Sequence, residues 1–129
     1  MLYSELQCSE AIHKAVERMG FAEMTEVQEK TIPVMLVGRD VIAKAPTGTG
    51  KTFAFGIPII EHIDPESEEV QAVIMAPTRE LAMQITAELR DLAVFMSGIR
   101  VVCLYGGAPI GKQIDALTEF VKRPQVGAK

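Results

Sequence analysis

Apolar residues recur along the chain in two alternating rhythms. Ile12, Ala15, Val16 and Met19 follow Ser9 at helical spacing and stop at Gly20, the order of an N-capped helix closed by a glycine. A second helix is expected from Thr25 through Val27, Ile32 and Val34 to about Leu36, with Pro33 as a source of kinking. After the turn Gly38-Arg39, residues 40–44 read as a short apolar strand. A glycine-containing turn follows, then a helix from Lys51 to about Ile63 that Pro58 should bend or break. Residues 70–76 are almost continuously apolar, as in a strand buried on both faces of a parallel sheet. Pro77-Thr78 opens a helix with Leu81, Ile85, Leu89, Leu92 and Phe95 inward and a stop at Ser97-Gly98. Residues 99–105 form a third expected strand, 106–109 a turn and 111–121 a helix. Residues 123–126 could begin a fourth strand, although the tail 118–129 has no strong pattern. Strand and helix in alternation predict an α/β domain with a parallel sheet and helices on both faces.

Composition narrows the class. With 129 residues, 48% of them apolar and 23% charged, the chain is one domain's worth of material with enough apolar residues for a core. Lys and Arg total 13 against 17 Asp and Glu, a net charge of −4. That argues against a generally basic wrapper of nucleic acid, but not against local phosphate contacts. The longest apolar run, residues 53–60, is interrupted by Gly56 and Pro58 and is too short to span a membrane. Glu5 and Glu10 near the start give no sign of a secretory leader, and a cytoplasmic location is expected. Cys8 and Cys103 are the only cysteines and show no metal-ligand spacing. His13 and His62 likewise lack a ligand pattern, and the acidic stretch 64–69 around Pro65 reads as a solvated loop.

Chemistry concentrates between the first strand and the helix after it. Ala45-Pro46-Thr47-Gly48-Thr49-Gly50-Lys51-Thr52 has the glycines that let several backbone N–H groups curl around one anion. The helix N-terminus adds its positive dipole end. Lys51 is placed to reach β- and γ-phosphates, and Thr52 to offer a hydroxyl to Mg2+. The general phosphate-loop pattern has Gly where this chain has Ala45. The competing reading is a plain glycine turn beside a solvated lysine.

Three motifs in order, Ala45 to Thr52, Pro77-Thr78-Arg79-Glu80-Leu81-Ala82 and Gly106-Gly107, give the chain a specific resemblance to the DEAD-box ATP-dependent RNA helicases. The resemblance covers residues 1 to about 117, and Ala45 matches that family's own loop variant, A-x-T-G-x-G-K-T. It implies the N-terminal part of the first RecA-like domain: a three-layer α/β/α P-loop fold with a mainly parallel sheet, incomplete here. It also implies an adenine-reading element within about residues 1–28, where Gly20-Phe21-Ala22-Glu23-Met24-Thr25-Glu26-Val27-Gln28 stands for G-F-x-x-P-T-P-I-Q. Met24 and Glu26 replace both prolines. On this basis Gln28 pairs with adenine, as a carboxamide can, with Phe21 and Thr25 beside it. Tyr3, 17 positions before Gly20, takes the place of the family's base-stacking aromatic. Thr47, Gly48, Thr49, Gly50, Lys51 and Thr52 would hold ATP, with Lys51 and Thr52 in the catalytic roles and Thr52 on Mg2+. Pro77, Thr78, Arg79, Gly106 and Gly107 would contact RNA backbone, independently of sequence. Each has a plainer alternative. Thr25-x-x-Gln28 is a capping box, Pro77-Thr78 a helix start, and Gly106-Gly107 an ordinary turn.

The sequence contains no D-E-A-D and no S-A-T tetrad or triad, and nothing in it matches the family's second RecA-like domain. The chain is therefore read as a fragment, a truncated product or a rearranged form. Phosphoryl transfer to water needs a strand-end acid and a water-orienting group, and no residue here takes either role. Weak adenine-nucleotide binding without ATP hydrolysis or unwinding is the expectation. A sheet short of strands has exposed edges, which suggests self-association. The alternatives are a non-catalytic or engineered P-loop fragment that self-associates, and a small P-loop phosphotransferase.

Overall fold

In the computed structural model, the structure describes residues 1–46, 48, 50–107 and 109–122, the side chains of 117–122 excepted. Thr47, Thr49 and the expected strand at 123–126 lie outside the described residues. A 3₁₀ turn, Tyr3–Glu5, precedes five helices: α1 Glu10–Arg18, α2 Glu26–Leu36, α3 Lys51–His62, α4 Arg79–Leu92 and α5 Ile110–Lys122. All lie within a few residues of their expected positions. Ser9 precedes α1 in extended conformation, Gly20 follows it at φ +85°, and Thr25 and Thr78 cap α2 and α4 through their side chains.

α3 is the central element. It packs against α2 on one side and α4 on the other, and it buries Phe53, Ala54, Gly56, Ile57, Pro58 and Ile60. A helix apolar around so much of its circumference belongs inside a fold rather than on its surface. Ile57 joins Tyr3, Leu6, Ile12, Val16, Met24, Ile32, Phe53, Ile60, Ile85, Leu89 and Leu92 in one core. Neither proline breaks its helix: α2 runs through Pro33 and α3 through Pro58. Each removes one backbone donor, but the packing on both sides of α3 outweighs that local cost. His62 Nε2 meets the Leu36 carbonyl at 3.0 Å and ties the C-terminal ends of α2 and α3 together.

α4 ends earlier than expected. Its last residue is Leu92, and Ala93 to Phe95 form a turn held by Met96 N–H to Ala93 O at 2.9 Å. Phe95, expected inward, is half exposed. The helical rhythm of apolar residues continues past the point where the backbone leaves the helix.

The expected strands differ most. Among the described residues, 40–44, 70–76 and 99–105 carry no strand assignment, and no backbone hydrogen bond joins one to another. Residues 70–76 are not buried on both faces: Val73 is 80% and Met75 90% exposed. A ladder requires neighbouring backbones 4.7–4.9 Å apart. Residues 70–74 and 98–104 together line a cavity of about 460 Å³, with Ile59 and Ile60 of α3, Ile63 just after it, and Ile85 and Leu89 of α4. The apolar content that marks these segments as strands is present, but no strand assignment or ladder hydrogen bond accompanies it among the described residues.

Gly56 sets the α3–α4 distance. A Cβ there would lie 2.9 Å from Leu89 Cδ2 and 3.1 Å from Leu92 Cδ1. Gly56→Val should therefore destabilise the fold by about 1–3 kcal/mol, read as a lower midpoint in thermal circular dichroism. An unchanged midpoint would show that the helices do not meet closely at this position.

Candidate nucleotide site and RNA-contact surface

The nucleotide corner is built around one buried carboxamide. Gln28 is 3% exposed, so each of its polar atoms needs a protein partner. Its Oε1 accepts from the Tyr3 hydroxyl and, at 3.0 Å, from the Thr25 N–H. Its Nε2 donates to the Gly50 carbonyl at 3.1 Å, and its own N–H donates to Thr25 Oγ1 at 3.4 Å. The capping box is thus formed, and the same side chain reaches across to the phosphate loop. Capping and contact with the nucleotide loop are not exclusive readings here.

Gly50 shows why glycine is required at the loop's end. It is the N-cap of α3 at φ +82°, and an added Cβ would collide with the Gln28 carboxamide nitrogen. Its carbonyl accepts from Ala54 N–H at 3.2 Å as well as from Gln28. Gly48 is also left-handed, at φ +84°. α3 begins at Lys51 without a side-chain cap, as befits a helix start that presents its amides to an anion. Lys51 Nζ donates to the Ala45 carbonyl at 2.7 Å and so stays folded over the loop. Thr52 is half-buried in the first turn. These donors fit a nucleotide phosphate, and Thr52 is the hydroxyl that would hold Mg2+ together with it. Among the described residues no cluster of three or more His, Cys, Asp or Glu could hold a metal alone.

Tyr3, expected to stack on adenine, belongs to the same hydrogen-bonded network. It is 5% exposed and sits behind Gln28, bonded to it. The aromatic with exposed surface in this corner is Phe21, which packs edge-on against Phe53 with centroids 5.4 Å apart. The N-terminal segment is fixed there by Tyr3 N–H to Ala22 O and Met24 N–H to Met1 O, both 2.9 Å.

The second group of expected residues also comes together. Thr78 Oγ1 accepts from Leu81 N–H at 3.2 Å and caps α4. Arg79, the first residue of α4, lies with its guanidinium over the Tyr105 ring at 5.6 Å and beside Gly107. Pro77, Thr78, Arg79, Gly106 and Gly107 are all exposed. Residues 27 to 30 positions apart in the chain therefore form one surface of helix N-terminus, cation and glycine turn. The apolar cavity lined by 70–74 and 98–104 includes no phosphate-loop residue and belongs to the core layer. His13 and His62 meet backbone carbonyls through Nε2, and burial, with Glu61 and Glu10 adding to it, pushes the Cys8 thiol up to about 11. Neither pattern suggests a reactive centre.

Sequence reasoning missed two contacts: Tyr3 to Gln28, and Arg79 to Tyr105. A hydroxylated aromatic at position 3 and an aromatic directly before Gly106 were the available signals.

Burial pushes the Tyr3 phenol up to about 12, against a weaker opposing effect of its bond to Gln28. The unfolded phenol, near 10, gives up its proton first. The stability contributed by Tyr3 is therefore intact below pH 10 and is lost as pH rises toward about 12. Urea unfolding at pH 9 and pH 11 should show wild type losing more stability than Tyr3→Phe. Equal losses would show that the phenol is not buried in this network.

Comparison with known proteins gives the chain's family. Residues 25–126 match the family model described as DEAD/DEAH box helicase. The chain is 52% identical over 124 residues to the ATP-dependent RNA helicase CshA of Listeria monocytogenes, covering 96% of this chain and 23% of that protein. It is 49% identical over 115 residues to the DEAD-box ATP-dependent RNA helicase CshA of Bacillus subtilis, covering 89% and 23%. Among solved structures, a DEAD box protein from Methanococcus jannaschii superposes with a TM-score of 0.80 at 38% identity, over 91% of this chain and 32% of that one. The RNA helicase Prp28 from Chaetomium thermophilum, bound to ADP, gives 0.74 at 38% identity, over 85% and 28%. The chain thus spans about a quarter of the length of these helicase relatives. With the phosphate loop, the buried glutamine and the paired surface motifs in the family's order, the chain belongs to the DEAD/DEAH box helicase family.

Proposed function

We propose that this chain is the ATP-binding and RNA-backbone-binding part of an ATP-dependent RNA helicase, comprising part of its first RecA-like domain. The observation that carries the reading is the hydrogen bond from Gln28 Nε2 to Gly50 O. It places a group suited to adenine directly on the loop suited to phosphate. Nε2 carries two hydrogens, so a carboxamide that donates one to Gly50 retains a second for adenine N7. Its Oε1 would exchange a present donor for the adenine amino group. Thr47 and Thr49 complete the proposed loop with Gly48, Gly50, Lys51 and Thr52. Mg2+, when bound with nucleotide, neutralises phosphate charge; Thr52 would orient it and Lys51 would hold the β- and γ-phosphates.

RNA contact is proposed at Pro77, Thr78, Arg79, Gly106 and Gly107. The α4 N-terminus and a cation meet an exposed glycine turn there, and such a surface grips phosphate without reading bases. In the proposed complete domain, 40–44, 70–76 and 99–105 become strands of a mainly parallel sheet. Hydrolysis and unwinding are not expected of this chain alone, because no residue in it takes the acid or water-orienting role. No helix among the described residues is long and apolar enough to cross a membrane, and a cytoplasmic site of action is proposed.

Self-association is a second proposed property. Its support is specific: Ile42, Val73 and Met75 are strongly exposed, and 70–74 and 98–104 line an apolar cavity. Exposed apolar segments of strand-like composition are the kind that take up strands from a second copy.

Calorimetry with ATP, ADP and GTP in Mg2+ should show adenine-selective binding that is lost in Lys51→Ala and in Gln28→Ala, with no phosphate release over hours. Equal affinity for GTP would remove the adenine reading, and steady ATP turnover would remove the inactivity. Light scattering across a concentration series should show growth beyond 14 kDa monomers in mass; a constant monomer mass at all concentrations would remove the self-association.

A further inference from the structure

Arg79 is an exposed residue at the start of an exposed helix turn, yet its guanidinium has a defined place. It lies 5.6 Å from the Tyr105 ring centroid, and its Nη1 would sit 3.8 Å from a Cβ on Gly107. The side chain therefore reaches from α4 across to the glycine turn. Glu80 Oε1 is 4.0 Å from Arg79 Nε, a distance at the outer limit of an ion pair between two exposed side chains. Such pairs hold geometry weakly. The ring is better anchored. Tyr105 is half-buried, and its N–H donates to Gln113 Oε1 at 2.7 Å in the first turn of α5. Gln113 N–H in turn meets the Pro109 carbonyl at 3.3 Å.

We propose that Tyr105 is a positioning residue for RNA-backbone binding: its ring holds the Arg79 guanidinium over the Gly106-Gly107 turn, joining the α4 N-terminus and that turn into one phosphate cradle. The inference rests on the RNA reading of this surface. The physical need is clear from the parts. A free arginine loses much rotamer freedom when it grips a phosphate, and a ring beneath it removes part of that cost before RNA arrives. Gly107, at φ +94° and without a side chain, leaves room for both the guanidinium and an incoming backbone. Tyr105 touches the cation and not the phosphate, so its effect on RNA should pass through Arg79.

That routing gives the test. Binding of a fluorescent ten-nucleotide oligouridylate to the full chain is followed by anisotropy at several salt concentrations. Tyr105→Leu should weaken binding about three- to fivefold and flatten the salt dependence by about 0.7 in the log–log slope, the loss of one single-strand phosphate contact. Arg79→Ala should do the same. Tyr105→Phe should retain wild-type affinity and slope, because the ring and not the hydroxyl holds the cation. Tyr105→Leu in an Arg79→Ala background should add nothing. An additive loss with an unchanged slope would overturn the proposal and make Tyr105 a base-stacking contact. An unaffected Tyr105→Leu would overturn it outright.

A second readout separates this inference from the RNA reading beneath it. The Arg79 side-chain protons should show upfield ring-current shifts in the NMR spectrum without RNA, lost in Tyr105→Leu and kept in Tyr105→Phe. If those shifts are absent while wild type binds RNA, the positioning role falls and the RNA reading stands. If they are present while wild type binds no RNA, the RNA reading falls and takes the role with it.

Discussion

The nucleotide corner depends on the demand of one buried carboxamide for partners. Gln28 lies where water cannot satisfy it, and leaving such a group unpaired costs about 1–3 kcal/mol. Its oxygen draws in the Tyr3 hydroxyl and the Thr25 amide, and its nitrogen draws in the Gly50 carbonyl. Three stretches distant in the chain are thereby tied at one point: the N-terminal turn, the start of α2 and the end of the phosphate loop. The isolated bridge between Leu2 and Glu23 and the bonds flanking it hold the first of these in place. A group that would read a base thus also sets the shape of the loop that would hold the phosphates.

α3 carries that corner into the core. Its first residue is Lys51 and its cap is Gly50, so the loop's geometry is the helix's own N-terminus. About one and a half turns later, Gly56 admits Leu89 and Leu92 of α4 to close range. The opposite end of α4's chain direction leads back through Arg79 to the second surface. The two candidate surfaces are therefore linked by two packed helices, each with a site at its N-terminus and apolar side chains behind it. Helix starts suit anions because their amides and dipole ends are exposed there, and the buried faces fix where those starts point.

The layer carrying 40–44, 70–76 and 99–105 stands apart from this. Helices satisfy their own backbone and need only a face to pack. Extended segments need a neighbour for every amide. In this chain α1 to α4 have formed and packed, while 70–74 and 98–104 flank a cavity, with Val73 and Met75 exposed.

Much of this was legible in sequence. Helix positions followed from apolar spacing with Ser9, Thr25 and Thr78 before it and Gly20 after it. The phosphate loop followed from Gly48, Gly50 and Lys51, and the family from three motifs in order. These are local features, set by residues within one or two turns of each other. Tertiary structure decided the rest. Phe95 kept the helical rhythm but lay in the turn, residues 93–95, that ended α4, and Tyr3 turned its hydroxyl to Gln28. Whether strand-like segments pair, which aromatic remains open and where an arginine rests are set by neighbours far along the chain, because a hydrogen bond or a ring contact exists only once its second partner has been brought to it.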